Sequence, residues 1–179
     1  LVICNDGFAA LNSTEWKGAG VAIPVFSLRS NEGFGVGEFS DIKLLVDWSK
    51  KIGLKLIQLL PVNDTTATHT WMDSYPYAAI SAFALHPLLI RIDEMILTKQ
   101  ESLIESYILE KEKLNALEAV DYEAVMKLKW KVLRTLFDKN GKHELASASF
   151  TEFFKDNAHW LVSYSAFSYL RELHGTVNF

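Results

Sequence analysis

Two short apolar runs with a one-sided amphipathic stretch between them set the strongest limit on what this chain can fold into. Val21 to Leu28 is apolar and bounded by Gly18, Gly20, Ser30, Asn31 and Gly33, which predicts a buried strand. Pro24 is its weak point, because proline cannot donate to a sheet ladder. From Ser40, a good N-cap residue with Asp41 in the first turn, the residues Ile42, Leu45, Val46 and Ser49 fall on one helical face, and Gly53 predicts the stop. Leu54 to Val62 is again continuously apolar apart from Lys55, Gln58 and Pro61, as expected of a strand covered on both faces in a parallel sheet. Strand, helix and strand in this order predict a βαβ unit, since parallel strands need a crossover.

The rest of the chain changes character. Asn63 to Pro76 is polar and aromatic without periodicity and reads as a loop at the C-terminal end of the second strand. Leu88 to Ile92 is compatible with a further short strand, after which helical patterns take over. Thr98 with Glu101 and Ser149 with Glu152 have capping-box spacing and predict two helix starts. Tyr122, Val125, Met126, Lys129, Val132, Leu133, Leu136 and Phe137 follow a 3.6-residue period that only Lys129 interrupts. Trp160, Leu161, Tyr164, Phe167, Leu170 and Leu173 predict a last helix ending near Gly175. No repeat appears at the 20 to 50 residue periods of solenoids. The fold class expected is α/β. One βαβ unit followed by helices fits either a barrel whose second connection carries a helical insertion or the edge of a doubly wound sheet. In both, ligands gather where strands end, which directs attention to the loop after Val62.

Composition narrows the function classes. With 179 residues, 49% of them hydrophobic and 22% charged, the chain has the apolar content of a packed domain. A net charge of -4 without a Lys/Arg-rich run gives no footprint for nucleic acid or an anionic membrane, so neither is expected as a partner. The single cysteine, Cys4, cannot form an internal disulfide and has no neighbouring His to activate it as a nucleophile. The most apolar stretch, Ala78 to Ile92, is broken by His86, Pro87 and Arg91, and the start at Leu1 has no basic, apolar leader pattern. The start without Met and the end at Phe179 set the expectation of a segment of a longer chain.

Three local patterns invite chemistry. Gly33, Gly35 and Gly37 lie between the first strand and helix, as in a phosphate-binding turn, but the spacing is G-x-G-x-G and Glu38 follows. A carboxylate there repels a phosphate, so a flexible turn is the plainer reading. In the loop, His69, Trp71, Asp73, Ser74, Tyr75 and Tyr77 crowd together. Sugar rings offer apolar C–H faces and hydroxyl rims, which flat aromatics beside carboxylate and hydroxyl groups can bind. The alternative is that Trp71 and Tyr75 pack under the loop. Asp64, His69, Asp73 and His86 show no metal-ligand spacing, so no metal site is expected. Arg91-Ile92-Asp93 is similar to the strand-end Arg-x-Asp that carries the nucleophile in α-amylase-like enzymes, but the helix start at Thr98 places Asp93 and Glu94 on a turn or in a first helical turn.

Two blocks go further: Gly18 to Ser30 through Gly35-Val-Gly-Glu-Phe39, and Leu56-Ile-Gln-Leu-Leu-Pro-Val-Asn-Asp-Thr-Thr66 through Asp73-Ser-Tyr-Pro-Tyr77 to Ser81-Ala-Phe-Ala-Leu-His-Pro87. They resemble the first strands and loops of the 4-α-glucanotransferases of glycoside hydrolase family 77, the amylomaltases and disproportionating enzymes. The wording is nearest the plant cytosolic disproportionating subgroup, which also carries Tyr75 between Ser74 and Pro76, and Trp160 to Phe167 with Leu170-Arg-Glu-Leu173 echo it.

The resemblance implies the N-terminal part of a (β/α)8 TIM barrel with a helical insertion, incomplete in this chain. It divides the chain into a linker or end of a preceding module (1–17), a first βαβ portion of the barrel (18–97) and a helical insertion or subdomain (98–179). It implies retaining transfer of glucosyl units from maltose or α-1,4-glucans to glucan acceptors, in the cytoplasm and without a cofactor, through a covalent intermediate. The family's nucleophile and acid/base lie on later strands, so no catalytic residue is assigned, Asp93 included. Tyr77 matches a tyrosine that contacts sugar near the cleavage point, Asp73 and Ser74 its polar neighbours, and Tyr75 and Trp71 complete the expected substrate-binding set. Two rival readings remain from the sequence: a noncatalytic glucan-binding or scaffold protein, and a phosphosugar-binding α/β domain. With strands lacking neighbours, the isolated chain is expected to be unstable or aggregation-prone.

Overall fold

A computed structural model describes residues 17–96, 103 and 105–179. Strand β1 (Gly20–Ile23) and strand β2 (Leu56–Leu59) pair in parallel, Gly20 opposite Leu56 through Ile23 opposite Leu59, and helix α1 (Asp41–Ile52) crosses between them. The βαβ unit is therefore present, with strands shorter than the apolar runs. β1 stops because Pro24 cannot extend the ladder, and Val25–Ser27 turns tightly, the Ser27 N–H and hydroxyl both donating to the Pro24 carbonyl. Among the described residues β1 and β2 pair only with each other, so Leu56 and Leu59 are exposed and not covered on both faces as expected.

Helix α1 starts at Ser40 by position, yet the Ser40 side chain caps nothing; the Asp41 carboxylate reaches back to the Glu38 N–H at 2.8 Å instead. Gly53 ends the helix with φ +80°, a conformation glycine adopts without strain. Of the expected face, Leu45 and Ser49 are buried and Ile42 is half-buried, whereas Val46 is exposed.

Beyond the loop, Leu88 to Ile92 is not a strand. Pro87–Leu89 and Ile92–Met95 are single tight turns, the first capped by His86 Nδ1, which accepts from the Leu88 N–H at 3.1 Å. Among the described residues three named helices follow: α2 (Ile108–Asn115), α3 (Tyr122–Leu145) and α4 (Ala148–His174). Thr98 and Glu101 lie outside the described residues. The cap of α4 is Ser147, whose hydroxyl accepts from the Phe150 N–H, two residues before the expected Ser149. The helix can start that early because α3 ends at Leu145 and the turn needs only Ala146 and Ser147.

The core lies between the glycine-rich segment, the two tight turns and α3: Val25, Phe34, Val36, Leu88, Leu89 and Ile92 pack against Tyr122, Val125, Leu128, Val132 and Leu136. Gly33 to Glu38 is buried, not a flexible turn, and a Cβ on Gly37 would stand 2.0 Å from the Val25 carbonyl oxygen.

Lys129, the apparent break in the α3 pattern, sits on the buried face. Its ammonium donates to Glu38 Oε1 at 2.5 Å, to the Leu88 carbonyl at 2.6 Å and to the Ile90 carbonyl at 2.8 Å, which uses all three of its protons. Arg91 pairs with the second Glu38 oxygen and with Asp41 Oδ1. Burial drives the Glu38 carboxyl above its ordinary range and holds Lys129 down to about 8, and their mutual attraction opposes both shifts.

Candidate functional site

The parallel pair delivers two segments to its C-terminal edge: the Val25–Ser27 turn and the long loop from Asn63 to His86. The loop closes on itself. Asp64 N–H bonds the Ala84 carbonyl, His86 N–H the Val62 carbonyl and Ile80 N–H the Asp64 carbonyl, with an antiparallel bridge between Asn63 and Leu85. Its two limbs are thereby fixed beside the end of β2.

Inside this frame Asp73 is buried and faces the loop. Its carboxylate accepts from the Thr68 N–H at 3.0 Å, the Thr68 hydroxyl at 2.9 Å and the His69 N–H at 2.7 Å, while its carbonyl takes the Thr65 hydroxyl. These bonds hold His69 at φ +58°, a left-handed conformation that costs a side-chain-bearing residue energy. Trp71–Ser74 then forms one tight turn, and the Trp71 N–H donates to Glu123 Oε1 of α3 at 3.1 Å.

With the polar groups turned inward, the aromatics turn outward. Trp71, Tyr75 and Tyr77 are 69%, 61% and 60% exposed, so none of them is packed under the loop. The Tyr75 and Tyr77 rings lie 5.6 Å apart and are tilted by 50°. Ser74 and Trp71 border a cavity of about 480 Å³ shared with Phe26 of the first turn and with Asp121, Tyr122 and Glu123 of α3. Of the five residues singled out from the sequence, Trp71, Tyr75 and Tyr77 thus form an exposed aromatic surface, Ser74 lines the adjoining cavity, and Asp73 organises the turn that presents them.

Beneath the loop lies a polar layer that sequence reasoning did not assemble. Asp64 is buried and accepts at Oδ1 from both the Thr66 N–H and hydroxyl, and at Oδ2 from the Tyr164 hydroxyl at 2.6 Å. Arg171 donates to the Thr66 carbonyl at 2.6 Å. His86 Nε2 meets the Tyr122 hydroxyl at 3.3 Å. Burial keeps His86 below its usual pKa, hence neutral, and raises the Tyr122 and Tyr164 hydroxyls, which stay protonated. The one available signal was that Tyr164 and Arg171 are seven residues apart, two turns along one helical face.

Among the described residues no three His, Cys, Asp or Glu side chains gather as a metal site; the Asp64 carboxylate is taken by Thr66 and Tyr164, and that of Asp73 by Thr68 and His69. Asp93 is bonded to the Tyr107 hydroxyl at 2.8 Å and paired with Lys111, a structural tie rather than a poised nucleophile. No described helix is long and apolar enough to cross a membrane.

Comparison with known proteins identifies the family. The family profile described as 4-alpha-glucanotransferase matches residues 23–179. The chain is 44% identical over 175 residues to the 4-alpha-glucanotransferase DPE2 of Oryza sativa subsp. japonica, covering 98% of this chain and 18% of that protein. It is 32% identical to the 4-alpha-glucanotransferase of Chlamydia pneumoniae, over 87% of this chain and 29% of the relative. For the Aquifex aeolicus 4-alpha-glucanotransferase the identity is 30%, over 88% of this chain and 30% of the relative. The chain thus spans less than a third of the length of each of these relatives. It belongs to the 4-alpha-glucanotransferase family.

Proposed function

We propose that this chain is the N-terminal portion, residues 18–97 with a helical insertion or subdomain at 98–179, of the (β/α)8 barrel of a cytoplasmic 4-α-glucanotransferase. The protein transfers glucosyl units with retention from maltose or other α-1,4-glucans to glucan acceptors, in starch, glycogen and maltose metabolism. Family membership supports the reaction class. The observation that carries the site is the loop after β2, which turns its carboxylate inward and presents Trp71, Tyr75 and Tyr77 at the C-terminal edge of a parallel pair.

Each part has a role. The Tyr77, Tyr75 and Trp71 faces take the apolar sides of glucose rings, Ser74 offers a hydroxyl from the cavity wall, and Asp73 acts through the shape of the turn. The nucleophile and the acid/base come from later strands of the barrel, about 5 Å apart as retention requires. An acceptor hydroxyl then replaces water in resolving the glucosyl intermediate.

The test is glucose release by the full-length protein given maltose, with and without glycogen. Acceptor-dependent release is the expected result, and glycogen binding with no release would favour the noncatalytic glucan-binding reading. Tyr77→Ala should lower kcat/KM for maltose about tenfold, equivalent to about 1.4 kcal/mol, with little change in thermal stability. Unchanged rates with every donor would remove Tyr77 from the site.

A further inference from the structure

We propose that Tyr164 and Arg171 of α4 are positioning residues for the sugar-facing loop, an inference that rests on the function proposed above. Arg171 is the only residue of this helix that is fully buried, beside a half-buried face of Trp160, Leu161, Tyr164, Phe167 and Leu170, and directional contacts add to that apolar packing. Those contacts converge on one target. The Tyr164 hydroxyl donates to Asp64 Oδ2 at 2.6 Å, Arg171 donates to the Thr66 carbonyl at 2.6 Å with Asp64 Oδ2 3.8 Å away, and Glu172 meets His69 Nε2 at 3.1 Å. On the returning limb the Phe83 ring stacks on Trp160, 5.5 Å apart and tilted by only 14°.

The bonds continue to the aromatic surface without a gap. Asp64 divides its carboxylate, Oδ2 toward α4 and Oδ1 to the N–H and hydroxyl of Thr66. Next to it, the Thr65 hydroxyl donates to the Asp73 carbonyl, and the Asp73 carboxylate fixes Thr68 and His69. Asp73 is followed directly by Ser74, Tyr75, Pro76 and Tyr77. A shift of α4 is therefore transmitted to the rings through hydrogen bonds of fixed geometry, although neither Tyr164 nor Arg171 belongs to the aromatic surface. Residues 100 or more positions apart in sequence are joined here: 100 for Tyr164 with Asp64 and 105 for Arg171 with Thr66.

Tyr164→Phe removes one oxygen and keeps the ring, so the fold is preserved while the tie is cut. In the full-length protein the expected results are at least tenfold faster hydrogen exchange at the Thr68 and His69 amides, a several-fold rise in KM for maltose, and kcat at saturating maltose within twofold of wild type. Val132→Ala in the core of α3 is the control: it lowers the melting temperature and leaves both the exchange at Thr68 and His69 and the KM unchanged. Unchanged exchange in Tyr164→Phe, or an equal rise in KM in Val132→Ala, would overturn the proposal. If the wild-type protein transferred nothing from maltose, the proposed function would fall, and the exchange rates would still decide whether α4 holds the loop.

Discussion

Replacing Lys129 by Met would isolate the contribution of the buried charge network. Lys129 is 1% exposed and Glu38 is fully buried, so solvent cannot take over the role of either partner. Met keeps the unbranched stem in the core and deletes only the ammonium. Three acceptors then lose their donor: one Glu38 oxygen and the carbonyls of Leu88 and Ile90. Glu38 keeps Arg91, which lies at the margin of the network. Breaking a buried pair from one side costs about 3–5 kcal/mol, because the remaining charge stays desolvated. The unfolding constant should therefore rise by roughly two to nearly four orders of magnitude. Urea unfolding of the full-length protein, followed by tryptophan fluorescence and by amide exchange in α3, measures it. Adding Glu38→Gln should not add its full cost, since the orphaned carboxylate is then gone, and a coupling of about 2 kcal/mol is expected. A loss under about 1 kcal/mol for Lys129→Met, with strict additivity in the double variant, would refute the reasoning.

Two further perturbations test separate features. Burial holds folded His86 below its ordinary 6.5, with Asp64 and Asp73 pulling more weakly the other way, so the unfolded protein takes up the proton first. The contribution of His86 is complete above pH 6.5 and is lost as pH falls through the folded pKa; the melting-temperature gap between wild type and His86→Gln should shrink from pH 8 to pH 5, and a constant gap would contradict the assignment. Gly37→Ala forces a Cβ to 2.0 Å from the Val25 carbonyl oxygen and 2.5 Å from the Leu28 nitrogen, both backbone atoms that cannot rotate away. Overpacking of this kind costs about 1–3 kcal/mol, read as a lower melting temperature, and a variant melting like wild type would show that the close approach is absent.

What the sequence made legible was what local pattern controls. The βαβ unit, the Gly53 and Gly175 stops and the period of α3 follow from periodicity and glycine chemistry, and all appear in the structure. The loop itself was also legible from its lack of periodicity, whereas the exposure of Trp71 and Tyr75 was not, since packing under the loop stayed open until the structure showed them outside. What failed depended on partners distant in sequence. Lys129 looked like an interruption because its carboxylate stands 91 residues away, and Glu38 read only as a charge that repels phosphate because its two cations come from Arg91 and α3. Leu88 to Ile92 has strand composition, but Pro87 and the His86 cap turn it before a ladder can form. The site divided in the same way: the aromatic residues were visible in one short segment, whereas the layer of Asp64, Tyr164 and Arg171 exists only once α4 is in place.

The separation between Glu38 and Lys129 also sets an order of events during synthesis. Chain growth at about 5–20 residues per second places Lys129 roughly 5–18 seconds behind Glu38. Until it arrives, Glu38 has no ammonium to enter the interior with, and Val25, Phe34 and Val36 have no α3 to close over them. The βαβ unit therefore leaves the ribosome before its lid, and the glycine-rich segment docks only after α3 has been made. During that interval the nascent apolar runs are open to chaperones, and slowing translation between the codons for Glu38 and Lys129 would lengthen it.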